Sequence, residues 1–353
     1  MGTLCGWLFP SYVQGWMVST LVLTSNLLML LLFVLLICMT VRRISSATLP
    51  VCMALLVYGL NPFSILQYCN RGLSSGFMET YQLLLVLAWL PLFLRCRRRW
   101  YYYLATLVVA VVGCLIHHTF CCTLFPLMVA LFVYDLFVER FPVDRTVAYG
   151  AVCLLMAGLF LAIWFHSTMT VDIDTLQQRI IARADSDACG AYKEALRQYY
   201  YTAYENNVQN LQLLRLVEFV FTLVLMAPVF VIAYFPWLQA AKRSGQSRYW
   251  IVPAVLTLLT LPVFFRTTDY SRWWTCWFFC LTALSLVAFG KGDKPVIDAL
   301  DELWCFFKRR WYLGVILLVY LAQLFQSGYE GLTHAVVLRE FLFGTTPFDI
   351  IKL

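Results

Sequence analysis

Apolar residues in this chain run in long, nearly unbroken stretches separated by short polar bursts. This is not the two-residue or 3.6-residue alternation of a chain that folds in water. The clearest stretch, Met17 to Thr40, holds no charged residue. A helix needs roughly 20 apolar residues to cross the hydrocarbon layer, fewer where its polar ends reach back to the headgroups. The pattern therefore predicts ten spans, at 17–40, 47–68, 74–94, 101–117, 119–138, 147–165, 217–238, 249–265, 273–290 and 311–326. The second contains Pro50, Asn61 and Pro62 and is expected to break before its far end. The expected fold class is an all-α, polytopic transmembrane helical bundle, one integral membrane domain over 1–353. One hydrophilic stretch, 166–216, stands apart. It carries two helix-like segments, 173–184 and 191–204, and is expected to form an extracytoplasmic cap.

Composition agrees: 62% of residues are hydrophobic, 13% charged and 17% aromatic, with a mean hydropathy of +0.76. Soluble chains are about half apolar and about a quarter charged, so a soluble enzyme, a disordered scaffold and a coiled coil are excluded. The net charge of +7 is spread in bursts between the apolar runs, so no nucleic-acid partner is expected. Sixteen of the 26 lysines and arginines follow spans one, three, five, seven and nine. Cytoplasmic loops are enriched in these residues, which puts both termini on the extracytoplasmic side of a plasma membrane. The first run has no basic segment before it, is too long for a cleaved signal and reads as a retained span. Cys38, Cys52, Cys114, Cys153, Cys276, Cys280 and Cys305, among the thirteen cysteines, lie in or beside apolar runs, where cysteine acts as a small hydrophobe. Without a CxxC pair or a His/Cys knuckle, neither a metal nor a cofactor is expected.

With the crossings in place, the unusual polar residues sort to the outer side. Asn61, Asn70, Arg71, Gly72 and Glu79 surround the ends of spans two and three, and His117–His118 joins spans four and five. Arg266, Asp269, Arg272 and Trp273 lie between spans eight and nine. Ionisable groups at that depth are costly and mark binding or reaction sites by default. An arginine fork such as Arg71, beside Gly72, Ser74, Ser75 and Gly76, suits phosphate oxygens; the alternative is a helix-end arginine neutralised by Glu79. A histidine can take a proton from a hydroxyl, and only one of the pair is expected to face inward, because helix neighbours point about 100° apart. Asp269 and Arg272 form either a loop-pinning salt bridge, with Trp273, Trp274 and Trp277 as an interfacial belt, or a pair that orients a sugar on tryptophan faces. No P-loop, HExxH or GxSxG motif is present.

The stretch from Asn61 to Asp135 resembles bacterial surface-polysaccharide polymerases, the group of EpsG-like and O-antigen polymerase proteins. The resemblance rests on an order of features: Asn70-Arg71-Gly72, a basic patch Arg95–Arg99, a span ending in His117–His118, and Pro126 in the next. Asp269-Tyr270-x-Arg272-Trp273 is similar to a cluster in related membrane proteins. The resemblance implies a glycosyltransferase acting on a polyprenyl-diphosphate-linked oligosaccharide at the outer face, with other polysaccharide-assembly proteins as further partners. For such a reaction, residue chemistry leads one to expect catalytic roles for Arg71, His117, His118 and Asp269, and substrate-binding roles for Asn70, Glu79, Arg266, Arg272 and Trp273. Nothing acidic precedes Glu79, whereas glycosyltransferases of the C-type fold carry an early outer-loop carboxylate. The alternatives are a transporter or flippase of the same lipid-linked glycan, and a non-catalytic subunit of an assembly complex.

Overall fold

The computed structural model describes residues 15–41, 78–138, 143–166, 226–264 and 270–323, a hairpin within 326–334, and scattered positions between them. Apart from that hairpin, β1 (Gln326–Gly328) and β2 (Gly331–His334), the described chain is helical. Its helices are α1 (Gly15–Val41), α2 (Met78–Cys96), α3 (Trp100–Ile116), α4 (Phe120–Thr123), α5 (Phe125–Val133) and α6 (Val143–His166). They continue with α7 (Ala227–Ser244), α8 (Arg248–Phe264), α9 (Tyr270–Lys291), α10 (Lys294–Arg309) and α11 (Trp311–Gln323). Four contain stretches long and apolar enough to cross a membrane: Thr20–Val41, Met78–Cys96, Arg145–Ile163 and Arg272–Lys291. Spans expected at 47–68 and the cap at 166–216 fall largely outside the described residues.

The bundle is built around α9, 89% of whose apolar stretch is buried, against 17% for α6 at the periphery. Leucines such as Leu154 on α6 and Leu27 on α1 stay exposed. In water that would be an aggregation surface; in a bilayer it is the face that meets acyl chains. Helices α1, α2 and α9 run side by side in the same sense. Near their carboxyl ends, a Cβ added at Gly290 would stand 3.0 Å from Thr40 Cγ2 and 3.3 Å from Leu94 Cδ2, so the absent side chain lets them close up. At the opposite end, the first turns of α2 and α9 meet through Glu79 and Arg272. Polar side chains join neighbouring helices: Trp89 Nε1 donates to Thr106 Oγ1 of α3 at 2.9 Å, and Trp237 Nε1 of α7 donates to Ser285 Oγ of α9 at 3.1 Å. Where hydrophobic matter surrounds the helices, such bonds add to van der Waals packing in holding them together.

One stretch departs from expectation. Residues 291–310, which charge counting makes a basic loop, contain α10. Asp293 caps its start, accepting from Val296 N at 3.4 Å. Val296, Ala299 and Leu300 recur at helical spacing and are buried, with α10 lying along α7. Charged residues fill its other face, where Glu302 pairs with Arg243.

A fully buried carboxylate ties one end of the bundle together. After α5 the helix widens into a π turn, Tyr134–Val138, and Asp135 within it is 0% exposed. Its Oδ1 accepts from Arg97 at 2.7 Å and from Lys291 at 2.7 Å, and its Oδ2 from the Tyr149 hydroxyl at 2.8 Å. The Lys291 ammonium also lies 4.2 Å from the Phe93 ring centre and 4.8 Å from that of Tyr134. Tyr134 donates in turn to Asp293 Oδ2 at 2.7 Å, and Tyr249 donates to Asp293 Oδ1 at 3.2 Å. Removing one partner of a buried pair leaves the others uncompensated, at a cost of about 3–5 kcal/mol. Asp135→Ala is therefore expected to lower the melting temperature of the purified protein sharply. Adding Arg97→Ala to it should cost less than the sum of the two single changes, measured as a double-mutant cycle.

Candidate functional site

At the far end of the same helices, Glu79 sits in the first turn of α2, where the helix dipole favours an anion, and is 1% exposed. Arg272, three residues into α9, reaches it with Nη1 3.4 Å from Oε2. The Arg272 guanidinium also lies 5.2 Å from the ring centre of Trp273. Glu79 thus has an interhelical partner, brought from 193 residues away in the chain.

One turn deeper on α2, Gln82 is completely buried and faces the end of α3. Its Nε2 donates to the carbonyl of Gly113 at 2.9 Å and to that of His117 at 2.8 Å. Here α3 stops. His117 is extended, with φ −158° and ψ 129°, and the chain reverses through His118 and Thr119 into α4. The reversal requires Gly113: a Cβ there would stand 2.7 Å from the Phe120 ring, which folds back over it.

The reversal changes how the two histidines are presented. On a continuous helix adjacent side chains diverge, as the sequence predicts. Because the backbone is extended at His117, the imidazoles stack instead, 4.7 Å apart and 20° from parallel. His117 Nδ1 is hydrogen-bonded with the Thr119 hydroxyl, and the His118 ring packs on Phe160 of α6. Burial pushes the His118 imidazole below its ordinary pKa, because the charged form loses its hydration. It is therefore neutral at physiological pH, the state a general base needs.

Of the residues picked from sequence, Glu79, His117, His118, Arg272 and Trp273 gather at this end, whereas Asn70, Arg71, Arg266 and Asp269 lie outside the described residues. The tryptophans are not an interfacial belt: Trp273, Trp274 and Trp277 are 1%, 1% and 3% exposed. Trp274 stacks on Phe219 at 5.3 Å and on Trp277 at 5.3 Å, within an aromatic core that includes Phe264. Gln82 escaped sequence reading because a lone glutamine at a span end has no distinguishing pattern. Asp135 could have been singled out, since it is the next acidic residue after Glu79 and lies in an apolar run. Among the described residues no group of three His, Cys, Asp or Glu side chains is placed to hold a metal ion.

Comparison with known proteins found no family model, no curated protein and no solved structure that matches the chain.

Gln82 connects the carboxylate end of α2 to the histidine corner. Gln82→Leu removes both donated bonds, at about 0.5–1.5 kcal/mol each, while each carbonyl keeps one backbone donor, His117 N at 3.3 Å for Gly113 and Phe120 N at 3.0 Å for His117. The expected result is a lower melting temperature, together with faster hydrogen exchange at the backbone amides of residues 113–121. Unchanged exchange there would show that the corner holds without Gln82.

Proposed function

We propose that this protein is a membrane glycan polymerase that transfers an oligosaccharide from a polyprenyl diphosphate to a hydroxyl of the next lipid-linked unit. The observation that carries the reading is the meeting of a buried Glu79–Arg272 pair with a stacked His117–His118 corner, bridged through Gln82, at one end of a membrane bundle. These residues come from three separate stretches of chain, and two of the groups, His117–His118 and Arg272, also belong to the motifs that resemble surface-polysaccharide polymerases. In this reading the chain crosses the plasma membrane ten times with both termini extracytoplasmic. The Glu79–Arg272 end then faces outward and the Asp135 knot lies on the cytoplasmic side, where the basic bursts are retained.

In the transfer, the bond between the sugar's anomeric carbon and the diphosphate oxygen breaks, and the diphosphate keeps the bonding electrons. The acceptor hydroxyl oxygen forms the new bond to that carbon and gives its proton to a neutral imidazole, His118 or His117. Arg272, with Arg71 and Arg266 as further cations, stabilises the charge growing on the diphosphate, as preorganised donors do best in a water-poor site. Asp269 orients the base or a sugar hydroxyl, Glu79 holds the Arg272 fork in place, and Asn70 and Trp273 line the substrate.

Removing a charge-stabilising group of this kind costs about 10²–10³ in rate. Arg272→Gln combined with Glu79→Gln, which leaves no lone buried charge, should therefore abolish long-chain glycan. Lipid-linked single units should accumulate while the protein remains in the membrane, as read by gel analysis of extracted glycan and by immunoblot. Glycan of wild-type length from that double variant would remove Arg272 from the reaction.

A further inference from the structure

Two polar side chains near this site have no partner, and the helix register brings them together. Asn26, in the middle of α1, is 3% exposed, and neither its amide nitrogen nor its amide oxygen is hydrogen-bonded. Thr80, beside Glu79 in the first turn of α2, is also 3% exposed, and its hydroxyl is unpaired. Elsewhere in the bundle Thr106, Thr123, Thr257 and Thr260 each donate to the carbonyl four residues earlier. Thr80 stands too close to the start of α2 to have such a carbonyl within its own helix.

Two observed contacts set the register of α1, α2 and α9. Thr40 of α1 meets α9 at Gly290, its Cγ2 standing 3.0 Å from where a Cβ would be. Asn26 lies fourteen residues before Thr40. Fourteen residues are close to four turns, so Asn26 returns to within about 40° of the same face. On α2, Thr80 lies fourteen residues before Leu94, which touches the α9 seam at Gly290. Fourteen residues are close to four turns, so Thr80 is directed toward the same seam. Asn26, Thr80 and the Glu79–Arg272 pair thus occupy one layer.

We infer that Asn26 and Thr80 form a hydrogen-bonding subsite for a neutral, hydroxyl-bearing group, the sugar adjoining the diphosphate; naming the sugar rests on the polymerase reading. The chemistry selects a neutral group. The carboxamide and the hydroxyl together offer both donors and acceptors and carry no charge of their own. In a hydrocarbon-surrounded bundle an unpaired buried amide or hydroxyl destabilises the fold, so its natural complement is a polar ligand that arrives with its own donors and acceptors.

The full chain in detergent is tested by thermal unfolding with two probes, undecaprenyl diphosphate and undecaprenyl diphosphate carrying one N-acetylhexosamine. For the wild type, the sugar-bearing lipid is expected to raise Tm beyond the bare lipid. Asn26→Leu and Thr80→Val should each raise the ligand-free Tm, because an unpaired polar group is replaced by an apolar one. Each should keep the increment from bare lipid and lose the extra increment from the sugar. An extra increment that survives both substitutions overturns the subsite, as does a ligand-free Tm that falls in both. Equal shifts from the two lipids in the wild type overturn the subsite and leave the transfer reaction standing. No shift from either overturns both.

Discussion

Burying the Asp135 carboxylate would cost several kcal/mol if no cation reached it, and much of the bundle is arranged around that requirement. Arg97 arrives from just beyond α2, Lys291 from the last turn of α9, and the Tyr149 hydroxyl from α6. The π turn that carries Asp135 sets the carboxylate among them. Through Tyr134, the same knot reaches Asp293, which caps α10 and also receives Tyr249 of α8. Since the carboxyl ends of α2 and α9 are held against one carboxylate, and the two helices run in parallel, their first turns are fixed relative to each other. Glu79 meets Arg272 as a consequence of that alignment.

The two ends of the bundle treat polar groups differently. Around Asp135, two cations face two carboxylates, Asp135 and Asp293, and every carboxylate oxygen there accepts at least one hydrogen bond. Carboxylates met in this way rigidify the network and gain from its low-dielectric surroundings, while the nearby Tyr102 hydroxyl is left unpaired. At the Glu79 end, ion pairing is accompanied by unsatisfied groups on Asn26, Thr80 and the Gln82 Oε1. A buried network that is only partly satisfied is unfavourable by itself and is the kind of place where a binding site is built at the expense of stability. The chain reversal beyond Gly113 belongs to this end too. It presents two stacked imidazoles where a continued helix would have turned one of them away.

Much of the secondary structure was legible from hydropathy. The apolar runs at 17–40, 74–94, 147–165 and 273–290 carry the four membrane-length helices. The misreadings share a cause. Charge counting makes 294–309 a basic loop because it ignores phase, while Val296, Ala299 and Leu300 carry the helical period that buries them on α7. Three tryptophans near a span end match the statistics of an interfacial belt, yet Phe219 and Phe264 close over Trp274 and make it core. Helical geometry does not apply to the histidine pair, because α3 ends at Ile116 and His117 is extended, a local break that no pattern of apolar residues marks.

By itself the sequence determined that this chain is helical and membrane-embedded. That conclusion depends only on run length against hydrocarbon thickness and on the need of every backbone amide in lipid for a partner within its own segment. It also marked Glu79, His117, His118 and Arg272 as out of place in apolar surroundings. Only the tertiary structure decided which of these groups meet. Glu79 with Arg272, and Asp135 with Lys291, are joined across 193 and 156 residues respectively. Such pairings follow from how parallel helices align and how closely glycines let them approach, properties of the packed bundle that no local window of residues contains.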